Sequence, residues 1–189
     1  DFSLGTALWE NEPNSVRRRT FEADASYSPS GYVGIDLGYT REDVSRTFRI
    51  FEETAENILR ASVDSTGFQY FSLRTSYERS SRKGSGFDLH LLEEVGEQPD
   101  MRHYDVANRD RDRVTAMFQV TPIAQLGFNV SVSHGKDDYK DSYFGLRDNE
   151  HNVYSVGMDI VPRDTVAFNV SYGKEKYEAL QWSRTALPA

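Results

Sequence analysis

Four histidines, His90, His103, His134 and His151, are the first residues to test for metal or acid–base chemistry. They form no HExxH pair and share no regular spacing, so they read as loop or strand-surface imidazoles rather than zinc ligands. Ser131 and Ser133 next to His134 invite a serine-nucleophile reading. Ser and His in one alternating stretch are commonplace, however, and the chain carries no GxSxG, no phosphate-binding P-loop and no GxGxxG. The run Asp105 to Asp112 offers oxygen ligands for Ca²⁺. Arg109, Arg111 and Arg113 compete for the same carboxylates, and the Gly and closing Glu of an EF-hand loop are missing, so a salt-bridged loop is the expectation. Ser80 to Gly86 (Ser-Ser-Arg-Lys-Gly-Ser-Gly) reads as a flexible basic hinge able to meet lipopolysaccharide phosphates or a partner protein. With no cysteine there is no disulfide framework, no thiolate metal site and no haem-attachment CxxCH. No enzymatic constellation emerges, and neither a catalytic, a metal nor a cofactor-binding residue is assigned.

What remains is a chain of 189 residues with a net charge of −8, which disfavours a nucleic-acid partner because phosphate backbones attract basic faces. Mean hydropathy is −0.66, and no stretch approaches the roughly 18–20 apolar residues of a membrane helix. Membrane strands escape that test because they are apolar on one face alone. Aromatics make up 13% of the chain, with 11 Tyr and 11 Phe, in line with interfacial girdles. The start at Asp1 is expected to follow a removed signal or to be internal to a longer chain.

Period-two alternation dominates. Phe21, Ala23, Ala25 and Tyr27 share one face of Arg19 to Tyr27, and Glu22, Asp24 and Ser26 the other. Tyr32 to Arg41, Val114 to Thr121, Leu126 to Asp137, Tyr154 to Ile160 and Val166 to Tyr172 repeat the pattern. Phe2 to Glu10 and Gly67 to Arg79 alternate more loosely. Arg46 to Asp64 is rich in helix formers at its centre, yet Leu59, Ala61 and Val63 alternate and it too reads as a strand. Nine strands result. Short turns are expected at 28–31, 65–66, 122–125 and 162–164, and long polar connections at 11–17, 42–45, 80–113 and 138–149. Short turns at one end and long loops at the other are the pattern of a transmembrane barrel. A weak repeat agrees: Pro122, Phe128-Asn129-Val130-Ser131 and Gly135-Lys136 recur as Pro162, Phe168-Asn169-Val170-Ser171 and Gly173-Lys174.

The expected fold is therefore an all-β, antiparallel up-and-down transmembrane β-barrel, with residues 1–189 one segment of a larger barrel because nine is an odd count. Its lipid-facing set is Val33, Ile35, Leu37, Phe118, Phe128, Val130, Val156, Phe168 and Val170. Its lumen-facing polar set is Glu22, Asp24, Asp36, Arg60, Arg74, Asn129, Asp159 and Asn169. An aromatic belt is expected of Tyr27, Tyr32, Tyr39, Tyr77, Tyr139, Tyr172 and Tyr177.

Several short motifs also match in order and spacing. Val63-Asp64-Ser65-Thr66-Gly67, Arg82-Lys83-Gly84-Ser85-Gly86-Phe87-Asp88, Tyr104-Asp105-Val106-Ala107 and the Asn108 to Arg113 run resemble the decahaem-associated outer-membrane barrel family of MtrB/PioB type. Tyr143 to Leu146, Asp148-Asn149-Glu150 and Tyr172 to Tyr177 fit its later strands, so the resemblance covers about 46–187. It implies a porin-like sheath in the bacterial outer membrane, bedded in outer-membrane lipid, with a periplasmic multihaem c-type cytochrome in its lumen for electron transfer. Haem would then enter through that partner, with none bound covalently by this chain. The chain is far shorter than a complete member and lacks the CxxC that some members carry. A general porin or solute channel is the alternative expectation, and a surface β-sheet adhesion module a third.

Overall fold

The computed structural model describes residues 15–47, 51–66, 68–87, 104–105, 107–141, 144–163 and 165–183. Eight strands follow one another: β1 (Val16–Ser30), β2 (Val33–Arg46), β3 (Phe51–Ser65), β4 (Phe71–Phe87), β5 (Arg109–Ile123), β6 (Leu126–Tyr139), β7 (Gly145–Arg163) and β8 (Val166–Trp182). Each pairs antiparallel with the next in one sheet of order β1 to β8, an up-and-down meander that is open at β1 and β8. The first expected strand, Phe2 to Glu10, lies outside the described residues, as do His90 and His103.

The helix-prone run at 52–61 is strand in the folded chain. Leu59 pairs with Tyr39 on one side and Arg79 on the other, and Ala61 pairs with Leu37 and Tyr77. Two neighbouring ladders outweigh local propensity there, as tertiary context routinely does. Strand ends depart further from expectation. The 80–113 connection shrinks to residues 88–108, because β4 continues to Phe87 and β5 begins at Arg109. The 138–149 connection shrinks to residues 140–144, and the one at 42–45 moves to residues 47–50. The strands run on because cross-strand charge and polar pairs such as Arg111 with Asp137 hold the ladder where apolar alternation has stopped. Among the connections between the eight strands, β4–β5 alone is therefore long. The sorting of loop lengths rests on it alone.

Strands of 14–19 residues exceed the roughly 9–11 that cross a bilayer at a tilt. The sheet is a single layer with little interior. Val44, Phe51, Ala107 and Tyr139 are its buried hydrophobic residues, all toward the β4–β5 loop end, whereas Leu37, Phe118, Val130, Val156, Phe168 and Val170 stand exposed. An apolar face of that extent needs a cover other than water.

Candidate functional site: two faces and a tilted band

Directly paired residues in an antiparallel sheet project to the same side. The register therefore sorts every side chain. All nine residues expected to meet lipid, Val33 through Val170, fall on one face; all eight expected polar residues, Glu22 through Asn169, fall on the other. Ile35, for example, pairs with Tyr27 and Val63, while Asp36 pairs with Ser26 and Ser62.

The apolar face carries a band with a clear margin toward the β4–β5 loop end. Followed from the short-turn end, its run of apolar and aromatic residues is first broken by a charged, amide or imidazole side chain just past Phe21, Tyr39, Leu59, Tyr77, Val114, Val132, Tyr154 and Tyr172 on successive strands. The margin does not follow the pairing rows. The row starting at Phe21 passes Arg41, Asn57, Ser81, Asp110, Asp138 and Asp148 to reach Leu180, eight residues beyond Tyr172. That is about 26 Å along the strands against about 34 Å across the seven steps, taking about 3.3 Å per residue and about 4.8 Å between strands. A level band then requires strands inclined by about 38°, within the 35–45° range of transmembrane barrels. Nothing in the composition of any one strand encodes this.

Five of the seven expected belt tyrosines fit the band. Tyr27, Tyr39, Tyr77 and Tyr172 are on the apolar face, and Tyr32 stacks on Phe68 at the short-turn end at 5.2 Å. Phe68 in turn stacks on Phe71 at 4.5 Å, extending an aromatic row there. At the opposite margin the Tyr39 hydroxyl donates to Asn57 (2.7 Å) and the Tyr77 hydroxyl to Asp112. Tyr139 and Tyr177 are corrections. Tyr139 pairs across from Arg109 and is buried on the polar face; Tyr177 pairs with His151 on the same face, its ring edge-on to the imidazole at 6.2 Å. Their position near a strand end pointed to a belt, but strand parity turns them inward.

The polar face has two characters. On β1 to β5 it is charged and cross-linked. Arg60 bonds Glu78 at 2.9 Å and reaches the Thr40 hydroxyl, and Arg74 bonds Asp64. Asp36 accepts from Ser26 at 2.6 Å. Gly38 makes room for the Asp24 carboxylate, whose oxygen lies 2.7 Å from where a Cβ would stand. On β6 to β8, short of Asp137, His151 and Glu175 toward the loop end, it is small and uncharged apart from Asp159, which accepts from Asn169 at 2.6 Å. Ser131 and Ser155 share a hydrogen bond of 2.8 Å, and the Asn129 amide lies over Gly157.

Toward the loop end the polar face carries a cluster that sequence reading left inside a loop. Arg109, 8% exposed, donates to Glu56 at 2.7 Å, and Arg111 makes a forked contact to Asp137 at 2.5 and 2.8 Å. Arg82 donates to the carbonyls of Tyr104 (2.5 Å) and Ala107 (3.0 Å), and Asn108 accepts from the Gly84 amide at 2.7 Å. The cluster pins the end of the β4–β5 loop against the sheet. Period-two alternation of Arg109, Arg111 and Arg113 against Asp110 and Asp112 was its sequence signal. That same parity dissolves the Ca²⁺ candidate, since Asp110 and Asp112 leave on the opposite face from the arginines between them. Asp110 instead accepts from Ser81 and lies 3.6 Å from Lys140. Lys140, beyond the end of β6, is held above its ordinary pKa by its hydrogen bond to Asp138 and that carboxylate's charge. Ser131 and Ser133 are on the polar face and His134 on the apolar side, where it meets Asn152 at 2.7 Å, so a Ser–His couple has no geometry.

Two comparisons bear on this architecture. The family model described as "Putative outer membrane beta-barrel porin, MtrB/PioB" matches residues 3–188. The "Outer membrane protein MtrB" of Shewanella baltica (strain OS185) is 25% identical over 171 residues, covering 90% of this chain. The chain spans about a quarter of the length of that relative.

Proposed function

This chain belongs to the MtrB/PioB family of outer-membrane β-barrel porins, and from that premise we propose that its strands are part of the wall of a sheath around a multihaem c-type cytochrome. The apolar face meets lipid and the polar face lines the lumen. The observation that carries the wall reading is the apolar band whose drift demands a barrel-like tilt of about 38°. In hydrocarbon every backbone group must be paired, so the open edges at β1 and β8 take further strands of the barrel. An adhesion sheet that dissolves without detergent does not agree with an outer-membrane family.

The sheath role is supported by the small side chains on β6 to β8. Ser131, Ser155, Gly157, Ser171 and Gly173 leave a shallow wall that a folded partner can approach closely. Haem would belong to that partner and electrons would pass along it, the wall contributing enclosure and exclusion of lipid. Extraction of the native membrane in detergent, followed by haem absorbance and mass spectrometry of what co-purifies, is the test. A stoichiometric multihaem cytochrome is the expected companion. A haem-free barrel that conducts ions as a wide pore in planar bilayers would replace this reading with that of a solute channel, which the charged half on β1 to β5 favours.

A further inference from the structure

Beyond the margin of the apolar band, the outer face is stratified by charge. The first outward residues past the margin include Arg19, Arg41, Arg79 and Lys174, against Asp112 as the sole acid at that level among the described residues. Two rows further out the balance reverses. Glu53, Asp138, Asp148 and Glu178 stand there with Lys83 as their one cation. The short-turn end has no counterpart. Its connections at 28–32, 64–70, 121–126 and 161–166 hold Arg163 as their single cation. A cationic row at one edge of a membrane band, absent from the other, matches a leaflet whose headgroups carry phosphate at that depth.

Side-chain contacts leave Arg19 and Lys174 of this row available and engage Arg41 and Arg79 in exposed pairs. Arg79 is more than half exposed and 3.9 Å from Asp112, and among the described residues no carboxylate lies within 4 Å of Arg19 or Lys174. Arg41 is shared with Asp43 at 3.2 Å. Directly below Arg41 and Arg79 the sheet forms an open, mostly apolar groove of about 440 Å³ between Ala23, Leu37, Tyr39, Leu59, Ala61 and Tyr77, with Asp24 and Arg60 also in its lining. Its small alanines flanked by tyrosine rings make a channel of acyl-chain character under the cations.

We propose that this edge of the outer wall is a docking belt for the phosphorylated glycolipid of the outer leaflet, with Arg19, Arg41, Arg79 and Lys174 on the lipid A phosphates and an acyl chain in the groove. The proposal rests on the outer-membrane setting and on the end that carries the long β4–β5 connection facing outward, and is independent of the cytochrome. Guanidinium and ammonium groups at one depth neutralise phosphates without drawing them into the band.

The test uses protein purified in detergent and incubated with diphosphoryl lipid A or its dephosphorylated form bearing the same acyl chains, with bound lipid counted by native mass spectrometry. The unaltered protein is expected to retain the phosphorylated lipid about tenfold better at low salt, with the preference collapsing near 0.5 M salt, about where screening shortens to a few ångström. The combined variant R19Q/R41Q/R79Q/K174Q should lose the preference, and R163Q at the opposite end should keep it. Equal retention of the two lipids by the unaltered protein overturns the proposal, as does an undiminished preference in the combined variant. Should that variant fail to fold, the salt-dependent ranking of the two lipids by the unaltered protein decides alone.

Discussion

The polar face on β1 to β5 and the polar face on β6 to β8 belong to one sheet and are built differently. The first stands tall: Arg60, Arg74 and Arg109 reach across strands to Glu78, Asp64 and Glu56. The second lies low, with the hydroxyl pair Ser131–Ser155 and an Asn129 amide resting on Gly157. Charged pairs require hydration or a matched partner around them, so the first region suits water and ions. Short uncharged side chains cost little to cover, so the second suits close approach by another surface.

The comparison presupposes that the small residues face away from lipid, and the largest expected effect tests that. Val130→Arg, on the apolar face near mid-band, should destabilise the barrel by about 2–4 kcal/mol in urea unfolding from lipid vesicles, whereas its neighbour Ser131→Arg should cost under about 1 kcal/mol. Similar losses at both positions would erase the distinction between the faces. Next, Arg109→Leu strands the Glu56 carboxylate in its largely buried site and should cost about 1–3 kcal/mol, with Glu56→Gln on top recovering part of it. Bulk then separates the halves by function. Ser155→Trp should lower co-purified haem about tenfold, equivalent to about 1.4 kcal/mol, while Ser62→Trp in the charged half should leave it within about twofold. Smallest is the coupling between Arg60 and Glu78. A double-mutant cycle should give about 0.2–1 kcal/mol, reduced in high salt, because the arginine is half exposed. A salt-independent coupling of several kcal/mol would show that this half is dry.

Much of the sheet was legible from alternation. Phe21 to Tyr27, Val33 to Tyr39 and Phe128 to Val132 declare their faces by spacing alone, because a strand has a period of two and one side must be apolar. Arg46 to Asp64 was readable against its helix propensity only through Leu59, Ala61 and Val63. Strand ends were not legible. Beyond Tyr77 or before Val114 both faces are polar, and whether Arg82 or Arg109 continues a ladder depends on what stands opposite. Tyr139 and Tyr177 lie near strand ends, where a belt is expected, but their parity puts them on the polar face. The loop-end cluster was hidden by the same nearness to a strand end, although Arg109, Arg111 and Arg113 alternate with acids.

By itself the sequence determined that this chain is a run of antiparallel strands with one apolar and one polar face, since side-chain period is a local property of an extended backbone. The register decided the rest. Which carboxylate answers Arg60, where Asn129 finds Gly157, and how far each strand is offset from its neighbour are relations between distant segments. The tilt of about 38° is their sum, and it alone places a level apolar band, and a row of cations above it, on strands that separately show only alternation.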